Sequence, residues 1–129
     1  MTQERLEQFL RIVDSARRGD EAAKWTLVVA VEIERRPTIR KKLRLAGVRH
    51  DDLPDAHHQV GMKVYDKIEL LRAARAYFKF ELRIINEISR KWRINYRRGG
   101  EPLDLVFTEV EKSNPSKEAF YEWLSARSW

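Results

Sequence analysis

Residues 77–100 read YFKFELRIINEISRKWRINYRRGG. Wound as a helix at about 100° per residue from Phe78, the positions Phe78, Leu82, Ile85, Trp92 and Tyr96 fall within about 40° of one direction. Ile84, Ile88 and Tyr77 widen that arc to one side. On the other side Lys79, Arg83, Asn86, Arg90, Arg93 and Arg97 make a stripe between about 60° and 140°, with no carboxylate among them. Arg72 and Arg75 extend it if the helix starts earlier. The pattern predicts a helix over roughly 75–98, closed by Gly99-Gly100, that packs one face and offers a cationic one. A solvated helix face ordinarily mixes signs. A one-sign stripe bordered by aromatic side chains instead suits a phosphate backbone with bases stacked beside it.

Charge elsewhere sharpens this contrast. The 129 residues carry 26 Lys and Arg against 20 Asp and Glu, a net charge of +6. Residues 72–98 hold nine basic and two acidic side chains, whereas residues 99–129 hold three and six. A basic middle followed by an acidic segment points to a polyanionic partner for the middle. With no cysteine, disulfides and thiolate metal sites are out of reach. There is no apolar run of about 18 residues to span a bilayer, and the polar start MTQERLEQ does not read as a signal peptide. The expectation is a cytoplasmic protein with no membrane association.

The rest of the chain reads as helices with short punctuation. Thr2 caps a first helix with Leu6, Phe9, Leu10, Val13 and Ala16 on one face, ended by Gly19. Asp20 caps a second, AAKWTLVVAVEIERR, which runs to Pro37 and is apolar nearly all round, as a buried core helix would be. A strand at TLVVAVEI is the alternative, but no partner strand is evident. A short basic helix, TIRKKLRLA, ends at Gly47. Another opens at Asp52 and runs through Tyr65 and Ile68, with Val60, Val64 and Ile68 as its core stripe. A soft break over residues 66–76 precedes the basic aromatic helix. Past it come PLDLVF and a last short helix from Asn114-Pro115, with Phe120, Trp123 and Leu124 on one face. This predicts a compact all-α multi-helix domain over residues 1–100 and an acidic extension over 101–129. A second basic cluster, Arg35, Arg36, Arg40, Lys41, Lys42, Arg44 and Arg49, is also free of acids and either joins the first or meets a separate anion.

The stretch RHDDLPDAHHQV, residues 49–60, gathers all three histidines with three aspartates. Such density is what metal and acid–base sites are built from. Its spacing argues otherwise. Asp52 reads as a helix cap, Pro54 sits in the tolerant first turn, and Asp55 suits the positive end of the helix dipole. His57 and His58 point about 100° apart, so they cannot grip one ion as an i, i+4 pair does. Asp55 and His58 stand i, i+3 and would share a ligand only with help from His50. No HExxH and no G-x-S-x-G is present. The expectation is no catalytic residue, no metal and no cofactor; a metal-dependent enzyme using Asp55 and the histidines is the outlying alternative.

The order of these features resembles the second conserved region of bacterial sigma factors, especially the extracytoplasmic-function group. Three passages carry the resemblance over roughly residues 10–105: SARRGDEAAKWTLV, the helix beginning DDLPDAHHQVGMKVY, and the basic aromatic helix ending NYRRGGEPLDL. The resemblance implies an all-helical module without catalysis. It implies that the helix after Asp52 docks on the clamp coiled coil of core RNA polymerase through Asp55, His58, Gln59 and Lys63. It also implies that Lys79, Arg83, Arg90, Trp92, Arg93, Tyr96 and Arg97 meet the promoter −10 element, partly single-stranded, with Trp92 or Tyr96 stacking on an unpaired base. Three features depart from the family. The loop DKIELLRAARA looks helical where the family has a Gly-, Ser- and Asp-rich base-capturing loop. Gly61 stands where a large apolar residue is usual. No second helix-turn-helix pattern, the family's −35 reader, occurs in these residues. The acidic extension has no counterpart there: it either folds over the basic helix or binds a second protein. The alternative function is a polymerase- or protein-binding adaptor or inhibitor that keeps the fold and leaves DNA alone.

Overall fold

The computed structural model describes residues 1–98, which form five α-helices and no strand. They are α1 (Gln3–Arg17), α2 (Glu21–Glu32), α3 (Arg36–Leu45), α4 (Leu53–Lys67) and α5 (Tyr77–Arg97). Short 3-10 turns at His50–Asp52, Ile68–Leu70 and Ala74–Ala76 connect them. The soft break expected between α4 and α5 is the last two of these turns. The extension 101–129, with the short helix expected in it, lies outside the described residues.

Local chemistry accounts for most boundaries. Thr2 accepts a hydrogen bond from the Arg5 amide at 3.1 Å, and Asp20 accepts one from the Ala23 amide at 3.0 Å, so each caps its helix. Gly19 and Gly47 end α1 and α3 with φ of 92° and 102°, where a Cβ would be strained. Two boundaries differ from expectation. Helix α2 stops at Glu32, and Pro37 lies in the first turn of α3, where its missing N–H costs nothing. Asp52 precedes α4 but makes no side-chain cap bond, because its carboxylate receives the Tyr96 hydroxyl instead.

Helix α4 is central and packs on α2, α3 and α5. It runs antiparallel to α2, since Tyr65 meets Trp25 while His57 meets Val31. It is also antiparallel to α5, since Gln59 meets Trp92 and Lys63 meets Glu87. Its expected stripe, Val60, Val64 and Ile68, is fully buried, together with Phe9, Val13, Leu27, Val31, Ile39, Leu43, Tyr77 and Ile88. Phe9, Tyr77 and Phe78 form an aromatic cluster that seats α1 against the start of α5.

Polar side chains cross this core in pairs. Glu81, 1% exposed, takes two hydrogen bonds from Arg35 (2.6 and 3.2 Å) and one from the Tyr77 hydroxyl at 2.8 Å. The Arg35 guanidinium also lies 4.9 Å from the Phe78 ring centre. His57 sits between its Val31 carbonyl partner at 2.8 Å and Arg40 Nε at 3.2 Å. Arginine can only donate, so His57 Nδ1 accepts and Nε2–H donates to Val31, which makes the ring a neutral strut. These ties withdraw Arg35 and Arg40 from the second basic cluster.

Candidate nucleic-acid and partner interfaces

Helix α5 buries Tyr77, Glu81, Ile84, Ile85, Ile88, Ser89, Trp92 and Asn95. The buried arc is therefore turned by about 60° from the one centred on Phe78. Leu82 and Ile94 stay exposed, while Glu81, Ser89 and Asn95 go inside. That rotation leaves the cationic stripe outward. Lys79, Arg83, Arg90 and Arg97 are exposed, and among the described residues none of them is in an ion pair. The two carboxylates of α5 are spent elsewhere: Glu81 on Arg35, and Glu87 on Lys63 at 3.2 Å.

Arg93 is half-buried and anchors the stripe to α3. Its Nη1 donates to the Ala46 carbonyl at 2.7 Å, and its stem lies against Gly47, where an added Cβ would meet it at 3.0 Å. A cation on the last carbonyls of α3 also suits the negative end of that helix dipole. At the other end a shallow cleft between α4 and α5 is lined by Lys67, Leu71, Arg72, Phe80 and Arg83, which continues the cationic surface with an apolar floor.

Two aromatic residues of the expected DNA set are placed differently. Trp92 is 5% exposed and its indole donates to Gln59 Oε1 at 2.9 Å, so it is a core residue linking α4 to α5. Its expected role in stacking on a base is corrected. Tyr96 is half-buried. The Arg49 guanidinium covers its ring at 4.1 Å, its hydroxyl accepts from the Arg49 amide at 3.1 Å, and it donates to Asp52. Burial and the Asp52 carboxylate push that hydroxyl up to about 12. The covered face leaves Tyr96 fastening the segment after α3 rather than open on both sides to a base.

On α4, Asp55 and His58 are exposed, as a partner-facing role requires. Gln59 (5% exposed) and Lys63 (3%) are not. Gln59 is held by Trp92, and Lys63 by Glu87. Burial lowers the Lys63 pKa, against the opposing pull of Glu87. The expectation that Gln59 and Lys63 meet a protein partner is corrected on steric grounds. Gly61 has its own explanation: a Cβ there would come 2.7 Å from Glu32 Oε1, so the missing side chain makes room for α2's carboxylate, which also lies 3.5 Å from His58 Nδ1. The three histidines are dispersed, with His50 exposed on a 3-10 turn, His57 buried and His58 exposed.

One feature of the surface was not expected. Helix α2 buries Leu27, Val28, Ala30 and Val31, yet Trp25, Val29 and Ile33 are 48%, 55% and 66% exposed. At i, i+4 and i+8 they form a second apolar stripe. Trp25 is held in place by its indole bond to Glu21 at 3.1 Å and by the Tyr65 ring, 4.5 Å away. Lys24 lies beside them, over the Tyr65 ring and paired with Glu21 at 3.8 Å and Glu69 at 3.4 Å. The described residues thus carry an exposed apolar stripe on α2 and an exposed cationic stripe on α5. The spacing of Trp25, Val29 and Ile33 was the available signal, masked by the richer stripe behind it.

No family model matches the chain, and neither the curated proteins nor the solved structures include a significant match.

Proposed function

We propose that this domain is a sigma-factor-like transcription protein that binds core RNA polymerase and partly single-stranded, −10-type promoter DNA. The observation that carries the reading is the row of exposed cations Lys79, Arg83, Arg90 and Arg97, unpaired among the described residues. Arg93 lies beside it and the cleft of Phe80 and Arg72 continues it. Phosphates would neutralise the row, and the adjoining apolar surface would accept unstacked bases. Polymerase would dock on the opposite flank, through Asp55, His58 and the α2 stripe of Trp25, Val29 and Ile33. An exposed Trp that a partner buries at the centre of a contact is a usual anchor of a binding hot spot.

Co-purification with core RNA polymerase from the same host is the direct test. Val29→Glu should abolish the association while barely moving the melting point, because Val29 is more than half exposed. Wild type that ignores polymerase refutes the polymerase half of the reading. A second reading, a protein-binding adaptor without DNA contact, is favoured by the apolar stripe alone. It predicts that losing the α5 cations leaves function intact.

A further inference from the structure

The outer face of α2 is complementary to itself. Trp25, Val29 and Ile33 are exposed, and exposed Ala22 and Thr26 lie with them within about 60° of Val29. None of these side chains is charged. Trp25 and Ile33 stand four residues to either side of Val29, so a two-fold axis through Val29, perpendicular to the helix, exchanges them. The two ends of the stripe carry opposite charges. Beside Trp25, the Glu21 carboxylate accepts from the indole at 3.1 Å; its side chain is 60% exposed, with Lys24 3.8 Å away. Beside Ile33, exposed Arg36 donates from Nε to the Glu32 carbonyl at 2.9 Å and is in no ion pair among the described residues.

We infer that a second copy of this chain packs on the stripe, α2 against α2, antiparallel about a two-fold axis through Val29. Val29 then meets the partner's Val29, Trp25 meets the partner's Ile33, and Glu21 meets the partner's Arg36. A two-fold contact requires each copy to offer the same, self-complementary patch. Parallel pairing would instead set Glu21 on Glu21 and Arg36 on Arg36. Ala22 and Thr26 are small enough to let the two helices approach closely. Trp25 is already fixed by Glu21 and by the Tyr65 ring, so the contact orders little that was free. A single helix face is smaller than a standard interface, which makes the dimer weak and reversible. It covers the stripe proposed above for polymerase, so the two partners exclude one another; the contact between copies does not rest on that reading.

Two measurements on the full chain, neither involving polymerase, decide it. The sequence has no cysteine, so Val29→Cys puts a single thiol on the proposed axis, and Leu82→Cys, exposed on α5, serves as the control. Under mild oxidation Val29→Cys should form a disulfide-linked dimer roughly tenfold faster than the control, because facing positions on the axis come within disulfide reach. Sedimentation equilibrium from roughly 5 to 500 µM then reads the register through charge. Glu21→Arg alone and Arg36→Glu alone each set like charges together at both ends and should weaken the dimer roughly tenfold. An equimolar mixture of the two variants rebuilds both opposite pairs and should recover wild-type association. That recovery also separates the charge effect from the bond to Trp25 that Glu21→Arg loses. A wild type that stays monomeric at the highest concentration, equal oxidation rates at positions 29 and 82, or a mixture no stronger than either variant alone overturns the inference.

Discussion

Replacing Arg83 and Arg90 together by glutamine isolates the cationic stripe from the rest of the fold. Both side chains are exposed and make no hydrogen bond or ion pair among the described residues, so the double variant should melt with wild type. Four exposed cations, Lys79, Arg83, Arg90 and Arg97, set the scale for binding. Each phosphate contact on a single strand contributes about −0.7 to the slope of log affinity against log salt, which gives about −2.8 for four. Between 50 and 200 mM salt that slope means a loss of roughly 50-fold. With two contacts gone the slope should fall to about −1.4 and the loss to roughly sevenfold. Anisotropy of a labelled single-stranded oligonucleotide, titrated at several salt concentrations beside a melting curve, measures both. A wild-type slope shallower than about −1, or an unchanged slope in the folded double variant, would refute the assignment of the stripe to phosphate.

Other perturbations test the interior. Arg35→Met leaves Glu81 buried without its cation and should cost roughly 3–5 kcal/mol in denaturant unfolding; adding Glu81→Met and Tyr77→Phe should recover most of it, and a single variant of wild-type stability would contradict the buried pair. His57 gives a pH dependence: burial, partly offset by its Val31 bond, lowers its folded pKa, so the unfolded chain binds the proton more readily. The stability from the neutral ring is complete above roughly pH 6.5 and is lost as pH falls through the window below it. His57→Gln should therefore flatten the fall in Tm between pH 7 and pH 5, and an unchanged fall would show that other groups cause it. Gly61→Ala in a Glu32→Ala background, where the carboxylate no longer fills the gap, should gain about 1 kcal/mol from helix propensity, with no gain if another atom occupies the space.

Helix positions were legible wherever a cap or a glycine enforced them, as at Thr2, Asp20, Gly19 and Gly47. The core stripe of α4 was legible because Val60, Val64 and Ile68 repeat at one helical spacing. The facing of α5 was only partly so. Hydropathy places Leu82 inward and Glu81 outward; the fold reverses both, because Arg35 and Tyr77 satisfy the buried carboxylate from elements that periodicity does not connect. The same blindness explains Trp92, Gln59 and Lys63: their burial depends on a partner about 30 residues away in sequence. In α2 two apolar stripes share one helix, and only packing decides that Leu27 and Val31 go inside while Val29 and Ile33 stay out.

The cross-core pairs have a consequence for how such a sequence can drift. Arg35 with Glu81, Arg40 with His57, Lys63 with Glu87 and Gln59 with Trp92 each join two different elements. Removing the partner of a buried member, Glu81, His57, Lys63 or Gln59, strands a polar group away from water, which costs more than losing an exposed contact does. The members are therefore expected to change together, as compensated doubles, while the outward cations of α5 vary singly under whatever their ligand demands. In a set of relatives, coupled columns should trace how α3, α4 and α5 are stitched together, and the uncoupled basic columns should mark the working surface.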